Sequence, residues 1–150
     1  MTKLLSVNKK ARFKYEILET LEAGLVLEGS ETKSIREGRA SIAESFGRMR
    51  EDEAYLYNMD IAPYEAASYG NHERKRPRKL LLHRAELRRV AGFVSQRGYT
   101  MVPLSLYFKR GWAKVELGVA KGKSQHDKRE ALRKREAGRE MRRASGSRRA

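Results

Sequence analysis

The sequence predicts a mainly β fold: a small closed antiparallel barrel of the oligonucleotide-binding type, with two or three helices and a basic C-terminal tail. Three features of the 150-residue chain lead there. Short runs of period-two hydrophobic alternation recur between Phe13 and Ala120. Helical segments interrupt those runs. Beyond Ala120 large apolar side chains nearly vanish while positive charge accumulates. The pattern alone does not choose between families of small barrel.

Residues 1–10 read as a flexible N-terminal arm ending in the polar Asn8-Lys9-Lys10. From Phe13 the chain alternates, with Phe13, Tyr15 and Ile17 on one face, as a strand does. A break at Glu22-Ala23 precedes Gly24 and a second strand at Leu25-Val26-Leu27. Ser30 is placed to cap a short helix through about Glu37, its hydroxyl accepting from first-turn N–H groups. Gly38 supplies the left-handed geometry that ends it.

Ile42 to Arg50 and Ala54 to Met59 form two strands joined by the acidic turn Glu51-Asp52-Glu53, with Tyr55 and Tyr57 on one face. Residues 68–79 have loop composition and five cations. His83 to Arg97 is the clearest helix, because Leu87, Val90, Ala91 and Val94 recur at helical spacing before Gly98. Thr100 to Lys109 alternates again, placing Val102, Leu104, Leu106 and Phe108 on one face. Arg110-Gly111 turns the chain, and Trp112 to Ala120 returns with Val115, Leu117 and Val119 inward. The barrel therefore occupies residues 11–120.

Residues 121–150 form the tail. Ser124 and Asp127 suit a helix start, and Glu130–Lys134 is a favourable i,i+4 pair. Leu132 and Met141 are nearly the only large apolar groups there, so packing cannot offset the ordering entropy. The tail is expected to be disordered when free and partly helical when bound in an anionic groove.

Charge points to the partner. Lys and Arg number 34 against 19 acidic residues, a net of +15. The last 30 residues hold 12 cations and 4 carboxylates, over half of that net charge. Such a field gains free energy by releasing the counterions of a nucleic acid. A membrane fits poorly, since the tail has little to insert and no apolar run approaches the ~18 residues of a span. The absence of cysteine excludes disulfides and thiolate metal sites. The first residues lack a secretory signal, and a cytoplasmic location is expected.

Enzymatic constellations are missing. Gly118-Val-Ala-Lys-Gly122-Lys123-Ser124 nearly spells a phosphate-binding loop, but has three residues between its glycines where the pattern needs four. It reads better as a basic hinge. His72, His83 and His126 lack metal-ligand spacing. Glu51-Asp52-Glu53 points its carboxylates apart, as a solvated hairpin tip does. No cofactor and no metal are expected. RNA-binding features are mutually consistent: basic stretches at Lys9, Lys10, Arg12 and Lys14, at Arg74 to Lys79, and at Lys121 and Lys123. Tyr55, Tyr57, Phe108 and Trp112 would stack bases where they face outward.

Six strings carry a resemblance: Asn8-Lys-Lys-Ala-Arg12, Glu22-Ala-Gly24-Leu, Lys33-Ser-Ile-Arg36-Glu-Gly38, Arg78-Lys-Leu-Leu-Leu82, Arg97-Gly-Tyr-Thr100 and Gly118-Val-Ala-Lys-Gly-Lys-Ser-Gln-His-Asp-Lys-Arg129. In order and spacing the chain resembles the SmpB (small protein B) family of bacteria, from about Asn8 to Met141. The resemblance implies an oligonucleotide-binding-like barrel that binds the tRNA-like domain of tmRNA. It implies delivery of that RNA to stalled ribosomes for trans-translation, with no bond chemistry of its own. The tail would enter the empty mRNA channel and reach the small-subunit decoding centre. Elongation factor Tu is a candidate further partner.

Residue by residue, Glu22, Leu81 and His83 match RNA-contacting positions, with histidine at 83 where the family leads one to expect asparagine. Asn8, Lys9, Lys10 and Arg12 match a basic RNA-facing segment, and Lys121 and Lys123 its neighbours. Gly122 marks the root of the tail, and Asp127, Lys128 and Arg129 match the motif needed at the decoding centre. Ala137 stands where some members carry tryptophan, so no stacking role is implied there. The competing readings are a basic ribosomal structural protein and, in a different class, a small RNA-cleaving enzyme for which no site is nominated.

Overall fold

A computed structural model describes residues 2–66 and 70–123, together with Arg133. The elements are β1 (Thr2–Val7), α1 (Ala11–Lys14), β2 (Tyr15–Leu25), α2 (Gly29–Arg36), β3 (Ala40–Ser41), β4 (Phe46–Arg50), β5 (Glu53–Tyr57), β6 (Asp60–Ile61), β7 (Arg78–Leu81), α3 (Arg84–Val94), β8 (Tyr99–Lys109) and β9 (Trp112–Gly122). All strand pairs are antiparallel. The main sheet runs β1-β8-β4-β5-β7-β2-β9, and a further β8–β9 pairing closes a ring, while β3 and β6 form a separate ribbon.

The β4–β8 join is a single residue pair, Gly47↔Met101. A Cβ on Gly47 would lie 2.7 Å from the Met101 Cβ, so only glycine lets the two backbones approach there. Ala54, Leu56, Leu80, Met101, Leu106, Val115, Leu117 and Val119 fill the interior, with Ile35 of α2 and Val90 of α3 sealing it. Val115, Leu117 and Val119 point inward as their alternation predicts.

Several local expectations need correction. Residues 2–7 are not a loose arm: β1 pairs with β8 from Thr2↔Lys109 to Val7↔Ser105. Leu4 and Val7 remain exposed, which is why periodicity gave no strand signal there. Phe13 lies in the helical turn α1, and the strand that follows runs unbroken through Glu22-Ala23 to Leu25. Ser30 does not cap α2. Glu28 is the N-cap, and its backbone N–H donates to Glu31 Oε1 at 2.8 Å. The Ser30 hydroxyl instead meets His72 Nδ1 at 2.9 Å. Gly38 has φ +74, as its stop role requires.

In β8 the register shifts between Pro103 and Ser105. Leu104 is the extra residue of this bulge, so one face is not kept along the strand. Met101 and Leu106 enter the main core, whereas Val102 and Leu104 join Ala11 and Ala120 in a second cluster. The β9 strand extends to Gly122, so the first two residues assigned to the tail belong to the sheet.

The largest departure concerns the cationic segment 74–79. Arg78 is fully buried, donating from Nε to Glu31 Oε2 at 2.6 Å and from Nη2 to the Glu73 carbonyl at 3.2 Å. Its Nη1 reaches the Met59 carbonyl, and Arg76 also bonds Glu31. Arg74 forks onto Asp60 at 2.9 and 3.2 Å, and Lys79 lies 3.8 Å from Glu53. Arg76 and Arg78 thus tie α2 and the Met59 turn to β7, while Arg74 and Lys75 stay at the surface.

Candidate nucleic-acid interface

Two groups of the expected residues come together, at opposite ends of the β2–β9 ribbon. At one end β2 opens with Tyr15↔Gly122 and Glu16↔Lys121. The Lys123 backbone N–H donates to the Lys14 carbonyl at 3.1 Å, and its ammonium to the Arg12 carbonyl at 3.0 Å. The root of the tail is thereby clipped to α1. Lys9, Lys10, Arg12, Lys14 and Lys121 are exposed around this clip. They make a phosphate-attracting field that fixes position and not sequence.

Asn8 plays a different part. Its Nδ2 donates to the Pro103 carbonyl at 3.0 Å and its N–H to the Leu104 carbonyl at 2.9 Å. These bonds cap the backbone of the β8 bulge, so Asn8 carries the arm across the sheet with one of its two amide N–H donors engaged.

Glu22 lies roughly 24 Å further along β2, counting strand rise. The tight Arg110-Gly111 turn, with φ of 54 and 80, sets Lys109 against Trp112 and Tyr107 against Lys114. Across the other edge Lys114 faces Gly24 and Glu116 faces Glu22. The outer face therefore gathers Glu22, Tyr107, Lys109, Trp112 and Lys114. The Tyr107 hydroxyl donates to Glu22 Oε2 at 2.6 Å and Lys109 Nζ approaches it at 3.4 Å.

The Tyr107 bond is the main reason the Glu22 carboxyl sits below its ordinary range. Partial burial opposes it, and Lys109 and Lys114 reinforce it. Glu22 is thus held ionised and acceptor-only at neutral pH. Burial, and secondly the bond to Glu22, push the Tyr107 hydroxyl up, so it stays a donor. Trp112 stands 71% exposed beside this group, the most exposed large apolar side chain among the described residues.

Leu81 extends the same surface. It pairs with Gly24, whose missing side chain leaves room for it: a Cβ there would meet the Leu81 Cβ at 3.3 Å. Leu81 is half exposed and borders a groove of about 670 Å³ lined also by Arg84, Leu87 and Arg88 of α3. His83 is exposed as the N-cap of α3. Its backbone N–H donates to Glu86 Oε1 at 3.0 Å, while its ring faces the Glu86 N–H in the reciprocal half of a capping box. Position 83 therefore has a helix-capping role whether or not it touches RNA, and asparagine would fill that role equally well.

Composition and motif reading did not single out Tyr107, Lys109 or Lys114 for this site. Phe108 packs against the core. Asp127, Lys128 and Arg129 lie outside the described residues. Among the described residues no group of three His, Cys, Asp or Glu side chains is placed to hold a metal ion. No helix there is long and apolar enough to cross a membrane.

The chain is similar to known proteins over most of its length. The family model described as SmpB protein matches residues 5–147. The SsrA-binding protein of Geobacillus thermodenitrificans is 54% identical over 142 residues, covering 95% of this chain and 92% of that one. That of Gloeothece citriformis is 53% identical over 144 residues, covering 95% and 93%. A solved structure described as "tmRNA-SmpB: a journey to the center of the bacterial ribosome" contains a chain 53% identical, with TM-score 0.67, covering 85% of this chain and 93% of that one.

Proposed function

The chain belongs to the SmpB protein family, and on that premise we propose that it is the tmRNA-binding adaptor of trans-translation, bringing tmRNA to stalled bacterial ribosomes. The observation that carries the reading is Glu22: a carboxylate oriented by the Tyr107 hydroxyl and flanked by Lys109 and Lys114. A carboxylate in such a field does not serve phosphate. It accepts from a base edge or a 2′-hydroxyl while the lysines hold the flanking backbone. Leu81 and Trp112 offer apolar and π surface to bases that are not stacked in a helix. Shape-dependent recognition of a folded RNA needs this mixture, and a generic cationic patch lacks it.

The division of labour follows from the fold. The Glu22–Leu81–His83 face grips the tRNA-like domain of tmRNA. Lys9, Lys10, Arg12 and Lys121 supply phosphate contacts at the other end of the ribbon. The tail beyond Lys123, with Asp127, Lys128 and Arg129, reaches the decoding centre through the empty mRNA channel. The protein acts by binding and placement and performs no bond chemistry, in the cytoplasm where ribosomes work. The related structure on the ribosome and the SsrA-binding relatives support this reading.

The test is equilibrium binding to the isolated tRNA-like domain across a salt series, with elongator tRNA as competitor. Preferential binding that persists at raised salt, and that Glu22→Ala abolishes selectively, is expected. Equal, wholly salt-driven affinity for both RNAs would leave a non-specific cationic protein instead.

A further inference from the structure

The sheet that carries Glu22 does not end at β8. Strand β1 continues it, and residues paired across strands share a face. One row of pairs runs Leu4↔Tyr107, Tyr107↔Lys114, Lys114↔Gly24 and Gly24↔Leu81. The next runs Val7↔Ser105, Ser105↔Glu116 and Glu116↔Glu22. Leu4 and Val7 therefore stand on the same outer face as Tyr107 and Glu22. They are 61% and 48% exposed.

A bulge sets this orientation. The β1–β8 register shifts between Leu4 and Ser6, so Leu5 is the extra residue, and it packs against the core. Strict alternation after Leu4 would turn Ser6 outward and Val7 inward. The bulge turns Val7 outward instead, three residues after Leu4. Two apolar side chains are thereby kept in water where a regular strand would have presented serine beside leucine.

Both ends of the Leu4 row are apolar. Leu81 stands half exposed on β7 and Leu4 on β1, about 19 Å apart along the sheet, counted as four strand spacings. Tyr107 and Lys114 lie between them, and the Lys109↔Trp112 pair flanks the row toward the Arg110-Gly111 turn. Cations interleaved with exposed apolar and aromatic groups fit a polyanion in which some bases are unstacked. We propose that Leu4 and Val7 form an apolar seat at the β1 margin of the RNA face, taking an unstacked nucleobase of the bound RNA. The tRNA-like domain is then held against apolar groups at both ends of the sheet. A base on Leu4 also excludes water from the adjoining Tyr107–Glu22 bond at 2.6 Å. The inference rests on the adaptor reading for the identity of the RNA.

The experiment compares the full parent chain with a Leu4→Thr, Val7→Thr double variant, each binding the isolated tRNA-like domain across a salt series. Threonine suits an exposed strand position, so the variant should melt with the parent. Its affinity is expected to fall about tenfold, the low end of what burying a leucine and a valine contributes. That factor should be the same at every salt concentration, because no phosphate contact is lost, whereas Lys9→Gln should lower the logarithmic salt slope by about one. In a second measurement, Leu4→p-benzoylphenylalanine should cross-link to the tRNA-like domain on irradiation. Unchanged affinity in the double variant overturns the proposal, as does the absence of a cross-link. A loss that comes with a lower salt slope also overturns it, because the effect would then run through displaced cations. A parent that sediments as a dimer beside a monomeric double variant would assign the patch to a second copy of the chain, and overturns it too. Equal affinity of the parent for elongator tRNA would remove the adaptor reading alone. The cross-link from position 4 and the salt-independent loss, read on that tRNA, would still decide whether the seat takes a base.

Discussion

The Glu31 carboxylate and the Arg78 guanidinium meet inside the protein with neither side chain reaching solvent, Nε donating to Oε2 at 2.6 Å. Burial raises the proton affinity of Glu31. The Glu28 N–H and the donors of Arg76 and Arg78 outweigh it, and the carboxyl stands below its ordinary value. Removing one member strands the other in a low-dielectric interior. Arg78→Met is therefore expected to cost about 3–5 kcal/mol, read as a lower urea midpoint. An unchanged midpoint would mean the pair is relaxed by water or by Arg76. The same pair sets a pH dependence. A carboxylate whose folded pKa is depressed contributes stability that is complete above its unfolded value of about 4.3 and is lost as pH falls through the folded value. Urea midpoints of the parent should fall below that pH more steeply than those of Glu31→Gln, once both are normalised at neutral pH. Parallel profiles would assign the acid sensitivity to other groups.

The Gly47–Met101 approach closes the ring, and a single methyl group tests it. The Cβ of Gly47→Ala would meet the Met101 Cβ, an atom that moves only with its backbone, at 2.7 Å. Overpacking of this kind costs about 1–3 kcal/mol. Thermal unfolding should report it, and Met101→Ala in the same chain should not recover the loss, because alanine keeps the Cβ that is struck and leaves a cavity in the core. Full stability in Gly47→Ala would show that β4 can swing off β8 at no cost.

Much of this was legible in the sequence, and the misses have physical causes. Helix α3, the β8–β9 hairpin and the inward set of β9 were readable because each buries one face at a fixed period. Strand β1 was not, because it leaves Leu4 and Val7 exposed and brings only Leu5 against the core. The β8 bulge was invisible because Leu104 looks like one more member of an alternating run. Arg74 to Lys79 read as a free cationic loop because sequence does not say that Glu31 and Asp60 lie beneath it. Glu22 and Leu81 came from the resemblance, yet Tyr107, Lys109 and Lys114 could have been found by counting outward from the Arg110-Gly111 turn. A two-residue loop fixes the register of both strands.

Tyr107 offers the sharpest test of that missed shell. Its hydrogen bond is the principal cause that holds the Glu22 carboxyl below its ordinary range. In Tyr107→Phe the Glu22 carboxyl should move up toward its ordinary value, measurable by NMR titration of the side chain. Affinity for the tRNA-like domain should fall roughly fivefold, the worth of about 1 kcal/mol for one hydrogen bond. If the titration moves but affinity does not, Glu22 does not read the RNA.

His83 separates capping from recognition. Asparagine preserves an N-cap and alanine loses about 1 kcal/mol, so His83→Asn should unfold no earlier than the parent and His83→Ala several degrees earlier. RNA affinity that tracks these melting points assigns position 83 to orienting α3. Affinity that falls in both variants while stability holds in His83→Asn would require a contact made by the imidazole itself.

The clip between Lys123 and α1 determines where the tail can be cut. A chain ending at Lys123 keeps the bonds to the Arg12 and Lys14 carbonyls and the full β2–β9 register. It should melt like the parent and retain its affinity for the tRNA-like domain. Tagging of nascent chains on stalled ribosomes should nevertheless be lost, because Asp127, Lys128 and Arg129 are gone. A chain ending at Ala120 also removes Lys121↔Glu16 and Gly122↔Tyr15. It should release α1 and weaken RNA binding as well. Equal RNA affinity in the two truncations would mean that the basic end of the ribbon does not touch this RNA, and that the Glu22 face carries binding alone.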